Sequence, residues 1–320
     1  MITKETWIWM DGKMVPWDQA NVHILSHTIH YGVGAFEGIR AYHLADGRSA
    51  VFRLGEHIDR LFDSSKLLEL SVPYSREDLC AVCAKTLAAN GMKEGYLRPL
   101  VYLGDGEVGV YPGNEPDVRV AVIAWKWGAY LGQEAIEKGI RVKVSSYTKH
   151  HVNAVLLKGK ICGHYVNSVL AKMEAKREGY NEAILLDHCG YVAEGSGENL
   201  FLVRGGELYT PGLDASILGG ITRDAAIRLA RDLGFKVNEM RLTRSDLYLA
   251  DEVFFSGTAA EITPIREIDR RVVGSGVAGP VTRQIQKAFF DVVSGRDSRY
   301  EKWLTFYQPL AVPAASVPSV

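Results

Sequence analysis

Leu218-Gly219-Gly220-Ile221-Thr222-Arg223-Asp224 runs into a segment, 221–233, whose apolar residues recur at helical spacing and which Gly234 closes. Glycines let backbone approach a ligand closely, and the first N–H groups of a helix have no partner inside it. An anion there gains hydrogen bonds and the favourable end of the helix dipole. Thr222 adds a hydroxyl. The stretch is not a Walker loop, and no GxGxxG opens a helix after a strand, so nucleotide folds are disfavoured. Ser256-Gly257-Thr258-Ala259-Ala260-Glu261, after a strand expected at 252–255, reads as a second turn of the same kind. Two such turns without a nucleotide motif imply a small phosphorylated cofactor.

Outward from these turns the chain reads as α+β. Short hairpins are expected around Asp11-Gly12 and Asp46-Gly47, helices over 54–68 and 76–90, and strands over 96–103 and 118–125. A change of texture places an interdomain connection at 126–135. Beyond it follow a strand at 141–145, a helix over 164–178, strand pairs flanking 187–190 and 204–206, and a last helix over 281–293. The regular βαβ alternation of a doubly wound sheet is absent. The expected domains are a small one at 1–125 and a larger one at 136–303, with a disordered tail at 304–320.

A chain of 320 residues fits about two domains. With 37 Lys and Arg against 38 Asp and Glu, the net charge is −1, which argues against general attraction to nucleic acid or anionic membrane. Four cysteines form no disulfide framework, and Cys80 and Cys83 read as packing within a helix rather than a redox pair. Neither a signal peptide nor an apolar run long enough to span a membrane is seen, so a cytoplasmic address is expected.

Several familiar chemistries lack their parts. His23, His27 and His30 would share one side of a helix, but no acidic or thiol ligand accompanies them, and no metal site is expected. Gly195-Ser196-Gly197 lacks the spacing of a nucleophile elbow. Leu156-Leu157-Lys158-Gly159-Lys160-Ile161-Cys162-Gly163 places two lysines in an apolar, glycine-flanked stretch. Desolvation lowers a lysine pKa and frees the amine for Schiff-base chemistry. Either lysine answers that description. Glu194, at the end of a strand expected at 190–193, offers a carboxylate to the same pocket.

Six ordered stretches together resemble the branched-chain amino acid aminotransferases, the class IV, fold-type IV pyridoxal phosphate enzymes. They are Phe36-Glu-Gly-Ile-Arg40, Tyr96-Leu-Arg98-Pro-Leu, Trp127-Gly-Ala-Tyr130-Leu-Gly, Glu194-Gly-Ser-Gly-Glu-Asn-Leu-Phe, Gly220-Ile-Thr222-Arg-Asp and Ser256-Gly-Thr258-Ala-Ala-Glu-Ile-Thr-Pro. The likeness is collinear from about Trp7 to Phe290. It implies a D-amino acid aminotransferase-like fold with pyridoxal 5'-phosphate between a small N-terminal and a larger C-terminal domain. The implied reaction is ping-pong transfer of the amino group of leucine, isoleucine or valine to 2-oxoglutarate.

The resemblance also assigns roles. Family members carry the Schiff-base lysine five residues before a tyrosine, which selects Lys160 before Tyr165 as the catalytic residue. Glu194 would face the pyridine nitrogen, and Tyr165 the phenolic oxygen. Arg60, Ile221, Thr222 and Thr258 would hold the phosphate. Tyr96 with the backbone of Thr258 and Ala259 would meet the substrate α-carboxylate. Phe36, Gly38, Trp127, Tyr130 and Tyr165 would line an apolar side-chain pocket, with Arg98 and also Arg40 toward a distal carboxylate. Tyr31 and Val110 match positions lent across a dimer interface, so a homodimer or a larger homo-oligomer such as a hexamer is implied, acting on amino acids and 2-oxo acids. Rival activities on the same fold are a D-amino acid or (R)-amine transaminase and an aminodeoxychorismate lyase. One departure stands out. The stretch 150–164 lacks the Pro/Ala/Gly-rich character usual in the family, and His164 stands where a small polar residue such as Asn is commoner.

Overall fold

A computed structural model describes residues 6–107, 109–128 and 132–310. The first half contributes β1 (Trp7–Met10), β2 (Lys13–Pro16), α1 (His27–Tyr31), β3 (Gly34–Phe36), β4 (Ile39–His43), β5 (Ser49–Phe52), α2 (Leu54–Leu67), α3 (Arg76–Ala89), β6 (Gly95–Leu103) and β7 (Val118–Trp125). After α4 (Gln133–Lys138) come β8 (Ile140–Thr148), α5 (Tyr165–Arg177), β9 (Glu182–Leu186), β10 (Val192–Gly195), β11 (Asn199–Arg204) and β12 (Glu207–Thr210). The chain continues through α6 (Ile221–Asp232), β13 (Val237–Glu239), α7 (Arg244–Tyr248), β14 (Glu252–Gly257), β15 (Glu261–Ile268), β16 (Arg271–Val272), α8 (Pro280–Val293) and β17 (Leu304–Tyr307).

Two sheets result. One runs β17-β5-β4-β6-β7-β1-β2 with β3 added against β6, and is antiparallel throughout. The other runs β10-β9-β8-β15-β14-β11-β12-β13, with β16 against β15. In it β8 is parallel to both neighbours, so the sheet is mixed. Local chemistry explains the element ends. Asp11 and Gly12 both take positive φ, the two-residue turn that matches strand twist. Ser75 and Asp78 form a capping box at the start of α3. Cys83 is buried inside α3, and burial raises its thiol pKa, so it packs as a small apolar residue.

The sheets are not independent. Ala50 and Phe52 of β5 share one apolar core with Phe201, Phe254, Phe289 and Trp303 of the second half. Phe52 meets both Phe289 and Trp303 edge-on, with ring centroids 5.6 and 5.9 Å away. The cleft between the sheets therefore has walls joined by packed side chains.

Two expectations need correction. Residues 304–307 are not part of a loose tail: they form β17, paired antiparallel with β5 from Leu304↔Phe52 to Tyr307↔Ser49. Burial of Leu304 in the shared core draws this strand back across the chain. Residues 311–320 of the expected tail lie outside the described residues. The turn at 256–261 does not open a helix. It closes the β14–β15 hairpin, with Gly257 opposite Glu261, and Glu261 takes φ +54° to allow the reversal.

Candidate active site

The segment between β8 and α5 enters the cleft and presents Lys160. Its backbone is tied on both sides: Lys160 N donates to Ser64 Oγ on α2 at 2.9 Å, and Phe36 N donates to Lys160 O at 3.0 Å. Lys160 Nζ then donates to Tyr165 Oη at 2.8 Å. Burial lowers the Lys160 pKa, and the Arg60 cation lowers it further, so the neutral amine is favoured. Lys158 is exposed and donates to the Leu213 carbonyl. Tertiary placement thus separates two lysines that the bare sequence leaves equivalent.

Glu194 sits inside β10 rather than after it, at a register shift between Val192 and Glu194. Such a bulge re-aims a side chain out of the regular alternation. Its Oε2 accepts from Asn199 Nδ2 and from Leu218 N, both at 3.1 Å. Its Oε1 lies 2.7 Å from Lys149 Nζ. Beneath this loop Glu198 is fully shielded, and burial followed by the neighbouring Glu182 carboxylate raises its pKa.

The other end of the cleft is an anion cup. Gly220 caps α6 with extended backbone, and Ile221 and Thr222 form its first turn. A Cβ at Gly220 would stand 2.0 Å from Asn199 Oδ1, so only glycine permits this approach. Arg60 donates from Nη1 to Gly219 O at 2.8 Å. Its Nε and Nη2 donate to the two oxygens of Glu37, at 2.6 and 2.9 Å. Glu37 is wholly buried and also meets His57 Nδ1 at 2.7 Å. Burial alone would raise the Glu37 pKa, but Arg60 and His57 outweigh it and hold the carboxyl far below its usual range. Thr258 and Ser256 line the same cavity from the β14–β15 hairpin, and Ser256 Oγ is buried without a hydrogen-bond partner.

Aromatic side chains wall the third side. Phe36 meets Tyr165 with centroids 4.9 Å apart, and Tyr96 meets Trp127 at 4.6 Å. Gly38 faces Tyr96 so closely that a Cβ would lie 1.8 Å from the tyrosine hydroxyl. The Arg98 guanidinium lies 4.8 Å from the Phe36 ring centroid and 5.6 Å from that of Trp125, and its Nε is buried without a hydrogen-bond partner. Arg40 is engaged elsewhere, 3.8 Å from Glu261 and 3.4 Å from the Trp127 carbonyl oxygen. Ala259 sits beside Thr258 in the hairpin turn. Tyr31 and Val110 lie on the surface, linked through His27, whose Nε2 is 3.2 Å from Val110 O and whose ring is 4.7 Å from Tyr31. Tyr130 lies outside the described residues. His30 Nε2 meets the Ile24 carbonyl oxygen, and His23 Nδ1 accepts from Leu25 N.

The residues present fit pyridoxal phosphate. They offer a neutral amine for its aldehyde, a buried carboxylate for its ring nitrogen, a guanidinium and a helix start for its phosphate, and an unpartnered Ser256 hydroxyl in the same cavity. Such a site defines an enzyme that holds a phosphorylated aldehyde on a lysine.

The chain belongs to the class IV aminotransferases, whose family model, Amino-transferase class IV, matches residues 34–268. It is 47% identical over 305 residues to the branched-chain-amino-acid aminotransferase of Pseudomonas aeruginosa, covering 95% of this chain and 98% of that one. The Escherichia coli K12 enzyme of the same name shows the same identity and coverage. Among solved structures, the Escherichia coli enzyme superposes with a TM-score of 0.92 at 47% identity, over 94% of this chain and 99% of that one. A branched-chain amino acid aminotransferase from T.th. with pyridoxamine 5'-phosphate gives 0.91 at 48% identity, over 95% and 99%.

Several residues at the site escaped the sequence reading. Glu37 and Asn199 stand inside quoted stretches without an assigned role, although a glutamate between Phe36 and Gly38 was a visible signal. Ser64 and Lys149 carried none, because their partners are 96 and 45 residues away, from the numbering of the pairs Ser64–Lys160 and Lys149–Glu194.

Proposed function

We propose that this protein transfers the amino group of branched-chain L-amino acids to 2-oxoglutarate, using pyridoxal 5'-phosphate held in the cleft. The observation that carries the reading is Arg98, a half-buried guanidinium among the Phe36, Tyr96 and Trp125 rings with its Nε buried and unpartnered. An aliphatic side chain packs on those rings, and a distal carboxylate pairs with the guanidinium, so one pocket serves leucine and glutamate in turn. Bound there, the cofactor supplies an aldehyde that takes up the amino group and a ring that accepts the electrons released at the α-carbon.

Each role belongs to a named residue. Lys160 Nζ would hold the cofactor through its aldehyde, and its neutral amine would hold the proton that moves at the α-carbon. Tyr165 Oη, kept protonated because burial and then Glu194 raise its pKa, orients that amine and donates to the phenolic oxygen. Glu194 anchors the ring nitrogen. Arg60, the Ile221 and Thr222 end of α6 and Thr258 hold the phosphate, with Glu37 orienting Arg60. Tyr96 and the Thr258–Ala259 backbone receive the α-carboxylate. Phe36, Gly38 and Trp127 bound the side chain, and Arg40 steadies the connection at the Trp127 carbonyl.

The reading includes a dimer. Val166, Val169, Leu170 and Met173 give α5 an apolar stripe facing outward, and exposed Tyr31 and Val110 would complete the pocket of a second copy. Among the described residues no helix is long and apolar enough to cross a membrane, and small zwitterionic substrates suit a cytoplasmic enzyme. The test incubates purified holoprotein and 2-oxoglutarate with L-leucine, D-alanine or (R)-1-phenylethylamine. Glutamate is expected from L-leucine far faster than from the others. No glutamate from L-leucine, or faster formation from either rival donor, overturns the assignment.

A further inference from the structure

We propose that Lys149 is a positioning residue for the ring end of the cofactor: its ammonium polarises the Glu194 carboxylate so that a proton shared with the ring nitrogen stays on the nitrogen. The inference rests on the role given to Glu194 above. Lys149 leaves β8 and donates its backbone N–H to Leu186 O on β9 at 2.8 Å. The preceding residue of β9, Leu185, is the register partner of Glu194 on β10. Adjacent rungs of one sheet therefore set the two charged residues against each other, and Nζ lies 2.7 Å from Oε1 with both side chains about nine-tenths shielded.

Three donors meet the carboxylate: Lys149 on Oε1, and Asn199 Nδ2 and Leu218 N on Oε2. Of the three, Lys149 is the one that carries a charge. Burial alone would lower the Lys149 pKa, but Glu194 beside it outweighs that and raises it, so the ammonium persists. His150 and His164 have pKas lowered by burial first and then by nearby cations, Lys149 among them, so neither adds charge near neutral pH. Moving a proton from a carboxylic acid to a ring nitrogen leaves a negative charge touching Lys149 and a positive one farther away. The nearer interaction is the stronger, so the cation drives the proton toward the ring. A protonated ring is the better acceptor of the electrons released at the α-carbon.

The test loads wild type, Lys149→Gln, Lys149→Arg and Glu194→Gln with pyridoxal phosphate labelled with nitrogen-15 in the ring, and reads the nitrogen shift near neutral pH beside kcat, KM and Tm. Wild type and Lys149→Arg are expected to show a protonated nitrogen. Lys149→Gln is expected to move toward the neutral-pyridine shift and to lose kcat, by about tenfold for each unit that the ring pKa falls below the working pH, with KM little changed. Lys149→Met, which keeps the stem and loses the charge, is read the same way should Lys149→Gln not fold. A protonated nitrogen and unchanged kcat in the uncharged variants overturn the inference while Glu194→Gln still deprotonates the ring. If Glu194→Gln leaves the nitrogen protonated, the role of Glu194 falls and this inference with it.

Discussion

The two ends of the cleft are built by different physics. The end proposed for the phosphate and ring is a set of shielded charges, each held by its neighbours: Glu37 on Arg60 and His57, Arg60 on Gly219, Glu194 on Lys149, Asn199 and Leu218. All of these residues belong to one chain. The side-chain end is aromatic, with Phe36, Tyr96, Trp125 and Trp127 packed by area and ring contact and the Arg98 guanidinium among them. Two residues assigned to that end, Tyr31 and Val110, point to the surface. A cofactor that stays put calls for a rigid polar cradle, because an unpaired buried charge is costly. Two substrates that alternate call for walls that make few directional demands.

The sharpest break of this contrast is chemical. Lys160→Ala is expected to lower turnover by at least about a thousandfold without lowering Tm, since no packed core side chain is lost; a full rate would remove the lysine from the mechanism. Next, Glu37→Gln takes away the anion between Arg60 and His57 and should cost about 3 kcal/mol or more in cofactor binding and stability together. Fluorescence titration with the cofactor and thermal melts measure both, and an unchanged cofactor Kd would show that Arg60 needs no anchor.

Arg98→Leu addresses the aromatic end. The half-reaction with 2-oxoglutarate should slow about a hundredfold, a loss near 3 kcal/mol for an ionic contact. The half-reaction with leucine should be spared, and stopped-flow traces of each separate the two. Paired glycine variants sharpen the division further. Gly220→Ala should weaken cofactor binding and Gly38→Ala should raise substrate KM, each by about tenfold. Crossed effects would mean that the two ends are one unit.

The smallest effect concerns pH. Burial, and then the neighbouring His150 and Lys149, hold the His164 pKa down to about 4. The unfolded chain binds that proton near its ordinary value of about 6.5, so stability is lost as pH falls between these values. His164→Asn should flatten that part of the Tm–pH curve, slightly because the ring is half-buried. An unaltered slope would assign the acid sensitivity to other groups.

What could be read in advance follows the same division. The glycine turn before α6 was legible because a helix start needs no distant partner to attract an anion. Helices α2, α3, α5, α6 and α8 were each placed within about two residues by apolar spacing and end signals. Glu37, Asn199, Lys149 and Ser64 were not legible as functional, because a buried polar residue is defined by what it faces. Strand β17 was missed for a related reason: Leu304-Thr-Phe-Tyr307 is short, and its partner β5 lies some 250 residues earlier, from the pairing Leu304↔Phe52.

By itself the sequence determined the α+β class, the glycine turn before α6, the apolar faces and, through resemblance, the proposal of Lys160 over Lys158. Those features depend on local spacing and on ordered stretches that survive without coordinates. Tertiary structure alone decided which carboxylate steadies which cation, that Arg98 rather than Arg40 stands free among the rings, and that the chain end returns to the first sheet. Charges and hydrogen bonds act through a few ångströms of space, and folding brings within that reach residues that the chain keeps far apart.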